Sequence, residues 1–312
     1  MGDDNLMLKI RMLLLAWFHF RLYHEKGLPL IVKRFSYKDI KKATDGFKRI
    51  INNSSQGTSY KAKFQNGSVA TVKEVKLPDE DDDSFIREVQ LLGRLHHRHI
   101  LAVCGYSTGS KRFLVFENME NGSLKEHLSD PLRTPLNWRT RLQIAIGIAA
   151  AVEYLHFFCD PPIHQVSLSS SSILLDENLI PKISDISLFN ASGNQITSLP
   201  TSSHCSKECA VEGCKNIIFQ LGLVILELIT GQSAEKGGVD LVQWVQESRF
   251  PGSIHKMIDP DLGNSYDQRE LKGLLSVARL CIRCVDRQSI CTPQILWYLQ
   301  KKIGITRRSR PS

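Results

Sequence analysis

YKAKFQNGSVATVKEV, residues 60–75, contains two runs of alternating apolar and polar residues on either side of Asn66-Gly67. Alternation with a period of two is typical of half-buried strands, and Asn-Gly is the strongest short signal for a two-residue hairpin turn. Similar short runs, separated by turn signals, continue over residues 56–118. The sequence therefore predicts a small antiparallel sheet in this region.

One helical segment interrupts the predicted sheet. Residues 81–97, DDDSFIREVQLLGRLHH, begin with acidic side chains, and Phe85, Val89 and Leu92 follow at helical spacing. Acidic residues stabilise the N-terminus of a helix, and the apolar spacing gives the helix one face to bury. We expect a strand-rich lobe that carries one helix.

The second half of the chain changes to a helical period. From Asn137 onward a wide apolar face recurs at helical spacing, and it consists of Leu142, Ile144, Ile148, Val152 and Leu155. The segment IIFQLGLVILELITG, residues 217–231, is apolar nearly all round, which indicates a helix buried on every side. The predicted fold class is α+β, with a β-rich lobe followed by a mainly helical lobe.

The composition limits the class of protein and its partners. The chain has 312 residues and is 42% hydrophobic, enough to bury one large core or two modest ones. Lys and Arg outnumber Asp and Glu by 40 to 32, and this excess favours acidic partners such as anionic lipid or nucleic acid. The basic tail, residues 305–312, lacks interleaved aromatic residues, so we do not expect nucleic acid as a partner.

The eight cysteines are too sparse for a disulfide framework, and no cleavable secretory signal is evident, which indicates a reducing compartment. Cys205, Cys209 and Cys214 lie close enough to suggest a zinc cluster. Their spacing lacks the paired knuckles of ordinary zinc sites, so we interpret them as free thiols on a loop.

Residues 1–34 form a basic and apolar leader. Only nine residues, 12–20, separate the charges of Arg11 and Arg21, whereas a membrane-spanning helix needs about 20 apolar residues. We do not expect a transmembrane helix here. A helix lying on an anionic membrane surface suits the mixture of Leu, Trp and Phe with basic residues. A helix packed on the domain, or an irregular leader, is an equal alternative.

A series of motifs follows the leader in a fixed order. They are FSYKDIKKATDGF (35–47), YKAKFQNGSVATVKEV (60–75), LHHRHILAVCGYS (95–107), FLVFENMENGSLKEHL (113–128), AVEYLHFFCDPPI (151–163), SSILLDENLIPKISD (171–185) and LGLVILELITG (221–231). In this order and spacing the chain resembles the plant receptor-like Ser/Thr protein kinases over residues 35–304. The resemblance implies a protein-kinase-like bilobal fold, with an N-lobe over about 35–117, a C-lobe over about 121–304 and a nucleotide cleft between them.

The resemblance also assigns the ATP-binding parts of the N-lobe. Phosphoryl transfer needs a lysine on the phosphates, held by a glutamate, and a glycine-rich cover. Lys73 and Glu88 fall at the positions of that lysine and glutamate, and Gly57 retains one glycine of the cover. Asn52 and Ser54 replace other glycines, so we expect weakened nucleotide affinity. The resemblance further implies that Phe116 lines the back of the cleft and that the segment from Glu117 to Met119 offers backbone groups to adenine.

The segment PPIHQVSLSSSSILLD, residues 161–176, lacks the charged catalytic residues that the family carries there. Aligned on both ends, Ser167 replaces the base Asp, Ser169 the neighbouring Lys and Ser172 the magnesium-binding Asn. No Asp, Asn, Lys or Arg lies between His164 and Asp176, so this loss is independent of the alignment. His164 could in principle act as a base, but a structural histidine is the preferred interpretation.

Further substitutions surround this loop. Asp185 retains the metal-binding Asp of the family motif D-F-G, which reads here Asp185-Ile186-Ser187. Val166 replaces the arginine that would bind a phosphorylated activation segment, and Ile217 replaces the aspartate that orders the catalytic loop. At most one magnesium ion, held by Asp185, is expected.

These substitutions favour a catalytically degenerate family member, a pseudokinase that binds ATP weakly or not at all. We expect it to bind an active receptor-like kinase or receptor complex, at the cytoplasmic side of the plasma membrane or in the cytoplasm. The alternative is an atypical Ser/Thr kinase of low activity that uses Lys73, Asp185 and one metal ion. A zinc-binding or nucleic-acid-binding module is a weaker third interpretation.

Overall fold

The structure, a computed structural model, describes residues 32–54, 57–75, 82–160, 162–164, 166–186, 205–247, 257–283 and 292–302. The predicted leader up to residue 31, Gln165, Ser187 and the basic tail lie outside the described residues. The described part divides into a sheet with two helices near the N-terminus and a mainly helical C-terminal part.

A six-stranded sheet forms the first lobe. Its strands are β1 (Lys33–Arg34), β2 (Ile50–Ser54), β3 (Gly57–Lys63), β4 (Val69–Val75), β5 (Val103–Ser107) and β6 (Arg112–Glu117), in the spatial order β1-β5-β6-β4-β3-β2. Helix α1 (Tyr37–Ala43) precedes β2 and packs on β3. All neighbouring strands are antiparallel except β1 and β5. The sheet thus includes the last two residues of the segment that we assigned to the leader.

The β3–β4 hairpin agrees with the prediction from residues 60–75. Tyr60, Ala62, Ala70 and Val72 point into the lobe and are buried, as the alternating pattern requires. The connection is longer than the two-residue turn that Asn-Gly indicates, because the Phe64 N–H donates to the Ser68 carbonyl at 2.9 Å and the Phe64 carbonyl accepts from the Gly67 N–H at 3.0 Å, which leaves residues 65–67 between the bonded pair. The hairpin was predicted correctly and its turn type was not.

Helix α2 (Asp82–Leu92) buries Phe85, Val89 and Leu92, the face predicted from the sequence. The helix ends five residues before the predicted limit at residue 97. Gly93 follows its last residue, and glycine is a poor helix former. A Cβ atom at Gly93 would lie 2.5 Å from Cγ2 of Val32, so close packing against the segment before β1 also requires a glycine there.

The C-terminal lobe is built from helices and one short β-ribbon. Its helices are α3 (Leu124–Ser129), α4 (Trp138–Phe157), α5 (Cys205–Thr230), α6 (Ala234–Glu247), α7 (Gln268–Arg283) and α8 (Thr292–Lys302), and the ribbon consists of β7 (Ile173–Leu175) and β8 (Pro181–Ile183). The side chain of Asn137 caps α4 by accepting from the Thr140 N–H at 2.9 Å. All five apolar residues predicted for the buried face of α4 lie in the core.

Helix α5 is the buried helix predicted from residues 217–231, but it begins earlier, at Cys205. Cys205, Cys209 and Cys214 are therefore helical, and their assignment to a loop was wrong. Among the described residues one helical window, residues 213–230, is long and apolar enough to cross a membrane, and 61% of it is buried inside the protein. Its apolar character suits its packing between α4, α7 and the segment around Leu168.

A buried ion pair joins the helices of this lobe. Nη2 of Arg141 on α4 lies 2.7 Å from Oδ2 of Asp259, and both side chains are nearly fully buried. Each of the other two guanidinium nitrogens also donates a hydrogen bond, Nε to the Leu136 carbonyl at 2.8 Å and Nη1 to the Leu228 carbonyl at 2.9 Å. The ion pair and these hydrogen bonds together offset the large cost of burying a charge.

Gly57, the first residue of β3, is required by the geometry of the sheet. Its φ is +138°, and a Cβ atom added there would lie 1.9 Å from the carbonyl oxygen of Glu74 on β4. Backbone atoms cannot move aside as the end of a flexible side chain can. This glycine therefore has a structural role in addition to any role in nucleotide binding.

We predict that Gly57→Ala destabilises the protein by about 2 kcal/mol or more, because it adds a steric clash to an unfavourable φ. Gly67→Ala is the matched control, since Gly67 also has a positive φ of +83° but nothing within 4 Å of an added Cβ. We expect the control to cost only about 1 kcal/mol. Urea unfolding followed by tryptophan fluorescence measures both, and equal losses would contradict the steric explanation.

Candidate functional site

The serine-rich loop, residues 162–172, lies beside the segment that carries Asp185. Val166 and Ile186 form a β-bridge, and the Ser167 N–H donates to the Asp185 carbonyl at 3.1 Å. The structure thus brings the backbones of Ser167 and Asp185 together, while the Ser167 side chain is exposed. A serine hydroxyl is neutral near pH 7, so it cannot accept a proton as an aspartate does.

Ser172 is bonded to the backbone of its own loop. Its hydroxyl lies 2.7 Å from the Ser167 carbonyl and 3.1 Å from the Ser169 carbonyl, and it accepts from the Ser169 N–H at 2.9 Å. The Ser172 carbonyl in turn accepts from the N–H and the hydroxyl of Ser184 at 2.9 and 2.8 Å. The side chain is 8% exposed. The hydroxyl therefore stabilises the backbone of the loop and is not exposed as a metal ligand.

Helix α5 also forms hydrogen bonds with the serine-rich loop. The side-chain oxygen of Gln220 accepts from the Leu168 N–H at 2.9 Å, and Ser170, which is 1% exposed, donates to Oε1 of Glu227 at 3.1 Å. Ile217, at the position where the family carries an ordering aspartate, is buried and apolar. Gln220 was missed in the sequence analysis, although a lone amide in an otherwise apolar run was a usable signal.

Lys73 and Glu88 form an electrostatically coupled pair between β4 and α2. Burial of Glu88 raises the pKa of its carboxyl to about 7, and the positive charge of Lys73 only partly opposes this effect. Oε2 of Glu88 has no hydrogen-bond partner among the described residues. At neutral pH the glutamate is therefore only partly ionised, which weakens its attraction for Lys73.

The two lost cover glycines lie in strand β2. Asn52 pairs with Ser59 and Ser54 pairs with Gly57, so both positions belong to the ladder between β2 and β3. Ser59 in turn pairs with Lys73 on β4. The described residues of the cover thus form an antiparallel strand pair, with a register shift between Ile50 and Asn52 and a glycine required at position 57.

The hinge between the lobes begins at the end of β6. Phe116 is buried in the main core, and Met119 is half-buried and packs against it. The Glu117 side chain accepts from the Ala102 N–H at 2.8 Å and pairs with Nζ of Lys182 at 2.7 Å, and its own N–H donates to the Ala102 carbonyl at 3.1 Å. The Glu117 N–H is thus bonded within the protein and is not available as a hydrogen-bond donor to adenine.

His164 faces helix α5. Its Nδ1 lies 3.2 Å from Sγ of Cys214, and burial lowers the pKa of the imidazole. The ring also lies 5.0 Å from that of His156, measured between centroids. These contacts favour the structural interpretation of His164 over a role as a substitute base.

The donor set does not fit two magnesium ions. Mg²⁺ binds through carboxylate and carbonyl oxygens and bound water. Asp185 is half-buried and offers one carboxylate, whereas the serine at the position of the second ligand is bonded within its loop. This arrangement suits one ion at most.

We predict that Glu88 makes stability depend on pH. Its carboxyl pKa of about 7 exceeds the ordinary value of 4.5, so its contribution is fully present below pH 4.5 and is lost as the pH rises through 7. The loss amounts to roughly 3 kcal/mol relative to Glu88→Gln, which cannot ionise. Urea unfolding of both proteins between pH 4 and 9 measures the difference.

Lys73→Met provides the test of coupling. Removal of the positive charge should raise the pKa of Glu88 further and extend the decline in stability to higher pH. An unchanged pH profile in Lys73→Met would show that the two residues do not interact.

Comparisons with known proteins agree with this geometry. The profile of the protein tyrosine and serine/threonine kinase family matches residues 47–234. A probable receptor-like protein kinase of Arabidopsis thaliana is 37% identical over 88% of this chain, and the chain spans 44% of that relative's length. The probable serine/threonine-protein kinase PBL21 of the same plant is 33% identical over 80% of this chain and 71% of its own.

One of the similar solved structures is that of a pseudokinase domain. The pseudokinase domain of BIR2, an immune regulator of the RLK/Pelle family, is 29% identical, with a TM-score of 0.70, over 86% of this chain and 84% of that one. The profile match, the plant relatives and the observed two-lobed fold agree with one another. This chain belongs to the protein kinase family, as a catalytically degenerate member related to the plant receptor-like kinases.

Proposed function

We propose that this protein is a pseudokinase that acts as a signalling scaffold or allosteric partner of an active receptor-like kinase or receptor complex. The state of the serine-rich loop supports this most directly. The loop contains no Asp, Asn, Lys or Arg between His164 and Asp176. The hydroxyl of Ser172 is bonded within the loop, and that of Ser170 is bonded to α5.

The size of the chemical loss favours a non-catalytic role. A positioned general base contributes typically 10²–10⁴-fold to a rate, and loss of the loop lysine and the second metal ligand removes stabilisation of the transferring phosphoryl group as well. The described residues of both lobes meanwhile contain extensive clusters of buried apolar side chains. A fold that retains its packing and loses its catalytic groups suits binding better than turnover.

Nucleotide binding is part of the proposal in weakened form. Lys73 would attract the phosphates of ATP, and Asp185 would hold one magnesium ion, the metal that supplies charge neutralisation when bound. The replacement of cover glycines by Asn52 and Ser54 and the partly protonated Glu88 both reduce the support for phosphate binding. We infer that ATP binds weakly or not at all.

The proposed partner and location rest on the relatives. The chain is related to receptor-like kinases, and the solved pseudokinase domain with 29% identity is that of an immune regulator. We propose binding to an active receptor-like kinase at the cytoplasmic side of the plasma membrane or in the cytoplasm. The basic and apolar residues of the leader provide a candidate contact with an anionic membrane surface.

A second candidate function is an atypical kinase of low activity. Two observations favour it, since Lys73 retains its position on β4 opposite Leu114 and Asp185 retains its position after β8. Such an enzyme would use these two residues and one metal ion. It would still lack a residue to accept the proton of the attacking hydroxyl.

A phosphotransfer assay separates the two functions. Purified protein is incubated with magnesium and labelled ATP, beside Lys73→Met and beside the triple variant Ser167→Asp, Ser169→Lys, Ser172→Asn. We expect no incorporation above the Lys73→Met background in the wild type, because no base is present. Incorporation by the wild type that Lys73→Met abolishes would refute the pseudokinase assignment, and activity only in the triple variant would locate the defect in the loop.

Association with an active kinase is tested separately. The wild type and Lys73→Met are used to capture partners from plant membrane fractions, and the captured material is assayed with labelled ATP and a generic substrate. We expect equal kinase activity in both, because the folded surface and not nucleotide chemistry carries the binding. Captured material without kinase activity, or activity that depends on Lys73, would argue against the scaffold role.

A further inference from the structure

Two histidines and one cysteine meet between α4, α5 and the entrance of the serine-rich loop. His156 lies near the end of α4, His164 at the entrance of the serine-rich loop and Cys214 on α5. One ligand atom from each residue lies within 4.8 Å of the other two. No other group of three or more metal-ligating side chains with this proximity occurs among the described residues.

We propose that His156, His164 and Cys214 bind a zinc ion. Imidazole nitrogen and thiolate sulfur are the ligands that Zn²⁺ prefers, whereas Mg²⁺ prefers oxygen. Three protein ligands leave the fourth tetrahedral position to water. This site differs from the cluster of Cys205, Cys209 and Cys214 considered in the sequence analysis, because it takes both histidines and only one cysteine.

The distances suit tetrahedral zinc. Bonds of about 2.0–2.1 Å to nitrogen and about 2.3 Å to sulfur place neighbouring ligand atoms roughly 3.3–3.6 Å apart. Sγ of Cys214 lies 3.2 Å from Nδ1 of His164 and 3.9 Å from Nδ1 of His156. The three ligand atoms lie within 4.8 Å of one another, so zinc binding would draw the side chains closer together.

The state of the imidazoles also suits a metal. His156 is 6% exposed, so its ring is shielded from bulk water. Burial lowers the pKa of His156 to about 4 and lowers that of His164, so both rings are neutral at pH 7. Neutral imidazole is the form that binds a metal. Thr292 Oγ1 lies 3.0 Å from Nδ1 of His156, the nitrogen nearest to Cys214, so zinc bound there would replace this hydrogen bond.

The backbone around the cluster is closely fitted. Gly213 precedes Cys214 on α5, and a Cβ atom there would lie 3.0 Å from Cβ of His164. The glycine therefore allows His164 to approach the helix that carries the cysteine. A bound ion would connect α4, α5 and the loop entrance, three residues before Ser167, and would stabilise the loop without any part in phosphoryl transfer.

The test uses the full chain, stripped of metal with a chelator and then titrated with zinc chloride. We expect one equivalent of zinc to survive dialysis and to raise the unfolding temperature. Cobalt in place of zinc should give the visible bands of a tetrahedral ion and a thiolate-to-cobalt charge-transfer band. His164→Leu and Cys214→Ser should each weaken zinc binding more than about tenfold, because loss of even outer-shell partners costs about 10–100-fold.

Cys159→Ala is the matched control, since Cys159 is a half-buried thiol just beyond the end of α4 and outside the cluster. It should bind zinc as the wild type does. Unfolding curves of all variants in chelator should resemble that of the metal-free wild type, so that loss of zinc is not loss of fold. Absence of stoichiometric zinc would overturn the proposal. Zinc binding that survives His164→Leu but requires Cys205 or Cys209 would overturn it as well.

Discussion

The fold of the site depends on one constraint, the hydrogen bonding of the Ser172 hydroxyl to the backbone of its own loop. This side chain contacts Ser167 and Ser169 within 3.1 Å, while its backbone accepts two bonds from Ser184. A hydroxyl is small enough to turn inward in this way, and it needs no counter-ion. The loop therefore keeps its course between β7 and the Asp185 segment without the charged groups that an active kinase carries there.

The charged pair of the N-lobe is also weakened. Lys73 and Glu88 occupy facing elements, yet burial raises the pKa of Glu88 to about 7 and reduces the charge available to Lys73. A carboxyl buried without a complete set of partners is destabilising when ionised. The pair therefore contributes less to phosphate binding at neutral pH than a fully ionised pair would, and a fall in pH weakens it further.

Much of the fold was predictable because periodicity reports burial directly. The faces of α2 and α4 and the β3–β4 hairpin follow from alternating or helical apolar spacing. The close approach of Gly93 to Val32, a residue distant in sequence, was not predictable. The start of α5 at Cys205 was missed because the first two turns of this helix lack the apolar pattern of residues 217–231.

The loss of charged residues was visible in the sequence, but their structural replacement was not. Gln220 and Glu227 bond the loop from α5, at positions that no local pattern connects to residues 168 and 170. His164 meets Cys214 only because the fold brings the loop entrance against Gly213. The loop is thus bonded to α5, to the Asp185 segment and to itself. None of these bonds needs a catalytic group. The loop can therefore connect the elements around it, and its sequence can differ from that of an active kinase while the two lobes keep their packing.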